Sequence, residues 1–173
     1  MSSRVDLLHA GPAVGFDEPF EMLAACHERV RRSLDLLLRL QAHVARYGAD
    51  AQARGAATDV LRYFDIAGPA HHEDEERHVL PRLRAAGEVA LADRLQAEHA
   101  AMNRTWATLR PVLLELAEGR PAHLDATACQ AYADLYARHM AAEESQAFPS
   151  ASAGLEAHAL AAMGEEMAGR RRA

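Results

Sequence analysis

The sequence predicts an all-α chain folded as an up-down-up-down four-helix bundle, and three observations predict it. Strong helix formers (Ala, Leu, Glu and Arg) dominate the 173 residues, whereas strand formers are scarce and there is a single Ile. Apolar residues recur at helical spacing in four successive segments. The links between those segments are short, which makes neighbouring helices antiparallel.

Residues 1–16 carry Gly11, Pro12 and Gly15 without periodicity and read as an irregular N-terminal arm. The first helix begins near Asp17 and Pro19; its stripe of Val30, Leu34, Leu37, Leu38 and Val44 ends at Gly48, with His27 on the same stripe. The second starts after Asp50 and carries Val60, Phe64, His71, Glu75 and Val79 before Gly87. Gly68-Pro69 should kink or restart it. The third carries Leu91, Leu95, His99, Met102, Trp106, Leu109 and Leu113, with Pro111 as a bend and Gly119 as a stop. The fourth runs from about Asp125 to Phe148, before Pro149, with Tyr132, Leu135, Tyr136, His139 and Glu143 on one side. The expected organisation is therefore an arm over 1–16, a bundle over 17–149 and a C-terminal tail over 150–173 with a short helix around Leu155 to Met167.

Composition excludes several function classes. The length suffices for a core without staples, and Cys26 and Cys129 form no CxxC, so neither a disulfide framework nor a thiolate zinc site is expected. That cysteine usage fits a reducing cytoplasm. No signal-peptide core opens the chain and no apolar run approaches a membrane span, so no membrane partner is expected. Net charge is -6 and the arginines are dispersed apart from Arg170–Arg172, leaving no footprint for nucleic acid. All nineteen basic residues are Arg, which with abundant Ala suggests a GC-rich bacterial source.

The chemistry lies in an internal repeat. His71, Glu75-Glu76 and Pro81 recur as His139, Glu143-Glu144 and Pro149 with identical spacing, so both halves read HxxxEExxxxP. His27 and His99 repeat as single histidines on apolar stripes. Four residues advance a helix by about 40° net and about 6 Å, so each HxxxE projects from one face as a two-toothed clamp. A lone His on such a stripe is more often a satisfied core residue, and a lone HxxxE a solvated pair contributing about 0.2–0.5 kcal/mol. Repetition changes this, because matching polar residues on four stripes would bury uncompensated carboxylates at several kcal/mol each unless cations satisfied them. Together they supply four imidazoles and two carboxylates able to bridge, a nitrogen and oxygen set that suits iron or manganese and less distinctively zinc.

The segments YFDIAGPAHHEDEERHVLPRL and YARHMAAEESQAFP resemble the two HxxxE segments of the hemerythrin-like HHE cation-binding family, over about residues 17–149. The resemblance implies metal ligands His27, His71, Glu75, His99, His139 and Glu143, with both glutamates bridging two iron ions (Fe2+/Fe3+), and the repeat selects the same six. His72 and Glu76 offer the same spacing one residue out of register, but alignment with His139, Glu143 and Pro149 favours His71 and Glu75. Glu76 and Glu144 read as solvated or supporting groups, and His9, His43, His78, His123 and His158 have no repeat partner. Tyr132 and Tyr136 could line the site or simply pack; Cys26 and Cys129 read as packing residues.

Oxygen-carrying hemerythrins resemble HxxxH on the third helix and HxxxxD on the fourth. Here Asn103 stands at +4 from His99, and the fourth-helix acid is Glu143 at +4 from His139. The expectation is therefore a non-carrier 4-His/2-Glu site. With both glutamates and an oxo or hydroxo group bridging, each six-coordinate ion keeps one open position, and Asn103 should face the ion nearest His99. The expected function is to bind, sense or reduce a small ligand such as O2, nitric oxide or peroxide, with a redox or iron-protein partner. The alternative is an iron-donor or iron-centre repair module acting through a partner; the N-terminal adjacent cysteines usual in such repair proteins are missing from residues 1–16. A ferritin-like site would need two ExxH pairs, and only Glu75 to His78 supplies one.

Overall fold

The computed structural model describes residues 15–172, which are helical throughout apart from short links. The expected arm falls outside the described residues except for Gly15 and Phe16, as does His9. Helix α1 spans Pro19–Tyr47, with Pro19 at its first position, where the missing N–H costs nothing. It stops at Gly48, whose φ of 75° suits glycine and whose N–H reaches the Val44 carbonyl at 2.9 Å.

The second bundle helix is composite: α2 (Ala51–Arg62), a π-helical turn (Tyr63–Ala67), α3 (Gly68–His78) and α4 (Leu80–Ala85). Asp50 caps α2 by accepting from the Ala53 N–H at 2.8 Å. The break expected at Gly68-Pro69 takes the form of the wide turn just before it. Pro69 cannot donate to the preceding turn and its ring crowds the carbonyl there, and an extra residue per turn relieves both.

Helix α5 (Val89–Ala117) follows, continuous through Pro111. The fourth bundle helix begins with α6 (Ala126–Ala142), capped by Asp125. It does not end at Phe148. A second π-helical turn (Glu143–Ala147) absorbs Pro149 as the first did Pro69, and the chain continues as α7 (Phe148–Ser152). After Gly154, α8 (Ala157–Arg170) folds back and buries Met163 and Met167. The first helix packs on the second and fourth, and the third on the same two, which is the cyclic order of a four-helix bundle. No helix among the described residues is long and apolar enough to cross a membrane.

The buried apolar residues form two clusters. One contains Val30, Leu37, Phe64, Met102, Leu113 and Tyr132; the other contains Met22, Leu83, Leu95, Phe148, Met163 and Met167. His27, His71, Glu75, His99, His139 and Glu143 lie where the two clusters meet, buried to 3% exposure or less.

Candidate metal centre

All six residues named from the repeat converge in that polar layer. One donor atom from each of His27, His71, Glu75 and Glu143 lies within 4.8 Å of the others, and the same holds for Glu75, His99, His139 and Glu143. Both glutamates belong to both groups. His71 Nε2 approaches Glu75 Oε1 at 2.9 Å and His139 Nε2 approaches Glu143 Oε1 at 2.9 Å, so each i,i+4 clamp closes on its own carboxylate. The single histidines cross over: His27 Nε2 lies 3.1 Å from Glu143 Oε2, and His99 Nε2 lies 3.3 Å from Glu75 Oε2.

The outer ring nitrogens determine which inner atoms carry lone pairs. His27 Nδ1 is 2.7 Å from Glu144, His99 Nδ1 is 2.9 Å from Glu76, and His139 Nδ1 is 2.8 Å from Glu98. A carboxylate accepts, so each Nδ1 carries the proton and each Nε2 presents a lone pair inward. His99 Nε2 and His139 Nε2 then face each other at 3.0 Å, a separation that calls for a proton or a cation between them. Both oxygens of Glu75 and of Glu143, with His27 Nε2, are buried without a hydrogen-bond partner. Acceptors turned on acceptors in a buried layer are stable only with positive charge between them.

The electrostatics have the same sign. Burial disfavours the imidazolium of His27, yet Glu143 and Glu75 outweigh it and lift the group to about 9. His71 and His139 are likewise raised against their burial, chiefly by Glu75 and Glu143 respectively. Burial would raise the Glu75 carboxyl, but His71, with His27 and His99, holds it well below the usual carboxylate range. The donor set fits cations at two points that share two carboxylates.

The model of the hemerythrin HHE cation-binding domain matches residues 18–151 of this sequence. The chain belongs to the hemerythrin HHE family. It is also similar to an uncharacterized protein of Haemophilus influenzae (strain ATCC 51907 / DSM 11121 / KW20 / Rd), at 32% identity over 158 residues covering 90% of this chain and 91% of that one.

Other residues of this HHE domain take places the sequence left open. Glu76 and Glu144 orient histidines, each reaching the single His of the other hairpin, and Arg31 holds Glu144 at 2.8 Å. Glu98 was not foreseen, because its partner His139 lies on another helix and no acid occupies the matching place in the first half. His72 is in neither donor group; its ring stacks on His99 at 4.1 Å and on Tyr136 at 5.7 Å. Asn103 does not face the layer. It is exposed and lines a surface cavity of about 440 Å³ with Pro69, His72, Glu73, Glu76 and Arg77, so His72 lies against His99 where Asn103 was expected. Tyr136 borders the site through His72, while Tyr132 packs on Phe64, Trp106 and Tyr136. Of the histidines without repeat partners, His43 pairs with Asp50 and His78 with Glu166.

Proposed function

We propose that His27, His71, Glu75, His99, His139 and Glu143 hold two iron ions that share both glutamates, and that this centre binds, senses or reduces a small molecule such as O2, nitric oxide or peroxide. The observation that carries the reading is the pair of donor groups sharing two buried carboxylates whose four oxygens have no hydrogen-bond partner. Nitrogen and oxygen donors without thiolate favour iron or manganese over a structural zinc. A bound iron pair supplies a redox couple and coordination positions open to a small ligand.

The chain's own residues supply the rest. Glu144, Glu76 and Glu98 fix three imidazoles in the tautomer whose Nε2 faces inward. The cavity beside Asn103 is lined by His72 and Glu76, which touch His99, so only the breadth of these two side chains separates it from that imidazole. Both cysteines are free and buried, which suits a reducing cytoplasm.

Anaerobic loading with ferrous iron, followed by elemental analysis and titration with azide or nitric oxide, tests the proposal. About two irons per chain with a ligand adduct is expected. One ion or none overturns the two-metal reading, and two ions that bind neither probe reduce the metal to a structural role. Turnover of peroxide or nitric oxide by the iron-loaded chain, with a chemical reductant returning the centre to the ferrous state and no partner protein present, separates the reading from that of an iron donor or repair module, which needs its partner.

A further inference from the structure

The two halves of the site obey the same rule at three of the four histidines and break it at the fourth. His27 is backed by Glu144 and His99 by Glu76, each acid being the second Glu of an HxxxEE motif in the opposite half. His139 is backed by Glu98, the residue immediately before His99. The counterpart of Glu98 in the first half is the residue immediately before His27, and it is Cys26. The counterpart of His139 is His71, whose Nδ1 is buried without a hydrogen-bond partner.

Cys26 on α1 and His71 on α3 are electrostatic neighbours. The Nε2 edge of His71 is turned to Glu75 at 2.9 Å, which leaves Nδ1 as the edge facing the thiol. The thiol donates to Met22 Sδ at 3.5 Å, and His71 Nδ1 is left without a partner. Sulfur is a weak acceptor and the neutral thiol brings no charge, whereas Glu98 brings a carboxylate. Arg29 and Arg171 add positive potential at Cys26. His27 and His71 therefore have one supporting carboxylate between them, shared with Arg31, while His99 and His139 have two, of which Glu98 is shared with Arg94 at 3.6 Å.

We propose that the two cation positions are unequal, the position of His27 and His71 holding a divalent first-row metal ion more weakly than that of His99 and His139, and that Cys26 is the positioning residue that makes them so. This rests on the two-metal reading above. Loss of an outer-shell partner typically lowers metal affinity about 10- to 100-fold, so the two positions should differ by about tenfold or more. The chain accordingly fills in order, passing through a form with one ion bound at His99 and His139.

The test is a competition titration of metal-free full-length chain with Co2+ against a chromophoric chelator, which resolves the two stepwise affinities. Wild type should take up two ions in separated steps, with His71→Ala abolishing the weaker and His139→Ala the tighter. Cys26→Asp, which restores a carboxylate behind His71, should tighten the weaker step about tenfold and leave the other unchanged. Glu98→Cys should loosen the tighter step by a similar factor and merge the two. This second variant decides the matter if Cys26→Asp does not fold. Indistinguishable wild-type steps, or substitutions that shift both steps together or neither, overturn the assignment of Cys26. Uptake of fewer than two ions overturns the two-metal reading instead.

Discussion

Metal-free protein should lose stability as the pH rises from 6.5 to 9, and metal-loaded protein should not. His27 is fully buried between Glu143 and Glu75, which lift it from the ordinary 6.5 to about 9. A group raised in the folded state contributes stability that is complete below its unfolded value and is lost as the pH passes through its folded value. The difference corresponds to about 3 kcal/mol. His71 and His139 are raised by the same carboxylates and act in the same direction, so their effects overlap rather than add. Cys26, lowered from its ordinary 9 by His71 against its own burial, works in the opposite sense at the upper end of the window. For a chain of this length about 3 kcal/mol corresponds to a fall in Tm of about 6–12 °C. Cations take the place of the protons, so the loaded protein should melt at nearly constant temperature over the same window, and metal affinity should rise with pH. Helical circular dichroism followed through thermal melts of chelator-treated and loaded samples measures both curves. A metal-free Tm that stays level or rises between pH 6.5 and 9 would refute the argument that these carboxylates gather positive charge.

Removing a donor should separate metal binding from folding: His139→Ala and Glu143→Ala are each expected to lower metal content and shrink the metal-dependent gain in Tm. That gain is about 2.7 kcal/mol at a hundredfold excess over Kd, and undiminished melting of the loaded variants would remove both residues from the site. Asn103→His should leave metal content and azide or nitric oxide stoichiometry unchanged, because Asn103 is exposed and His72 lies against His99; a lower stoichiometry would show that position 103 reaches the ion. Replacing both Arg170 and Arg171 by Ala strands the fully buried Asp74, which accepts from both guanidiniums. Urea denaturation should register a loss of about 3–5 kcal/mol, and a change below about 1 kcal/mol would mean that α8 does not anchor through this carboxylate.

The helical class and the six converging residues were legible because both rest on local geometry. A stripe with a 3.6-residue period, and an i,i+4 pair that must share a face, are properties of one helix read alone. Residues whose role depends on a second helix were not legible. Glu98 meets His139 across 41 positions, and a search for repeats passes over it because its counterpart is a cysteine. The reading of Asn103 assumed that sharing a face with His99 meant sharing its surroundings. A further 40° of rotation is compatible with the bundle wall, and the room beside His99 belongs to His72 from the neighbouring helix. Pro149 reads as a stop in the sequence because a proline breaks the hydrogen-bond ladder, yet a π-helical turn ahead of it lets the helix continue. The anchoring of α8 to Asp74 joins positions 96 and 97 apart and leaves no periodic trace.

The polar layer also has a mechanical meaning. Because it cuts the apolar interior into two bodies, little hydrophobic contact connects one end of the bundle with the other. The end that holds Met22, Leu95 and Met167 and the end that holds Leu37, Leu113 and Tyr132 are joined by continuous backbones and by this seam. When the protons on His27, His71 and His139 leave and nothing replaces them, the seam is the weakest link between the ends; cations filling it would clamp all four helices at mid-height and make the ends unfold together. Such an ion is a rivet between two small cores, and the cooperativity of the whole chain becomes a measure of how many rivets are in place.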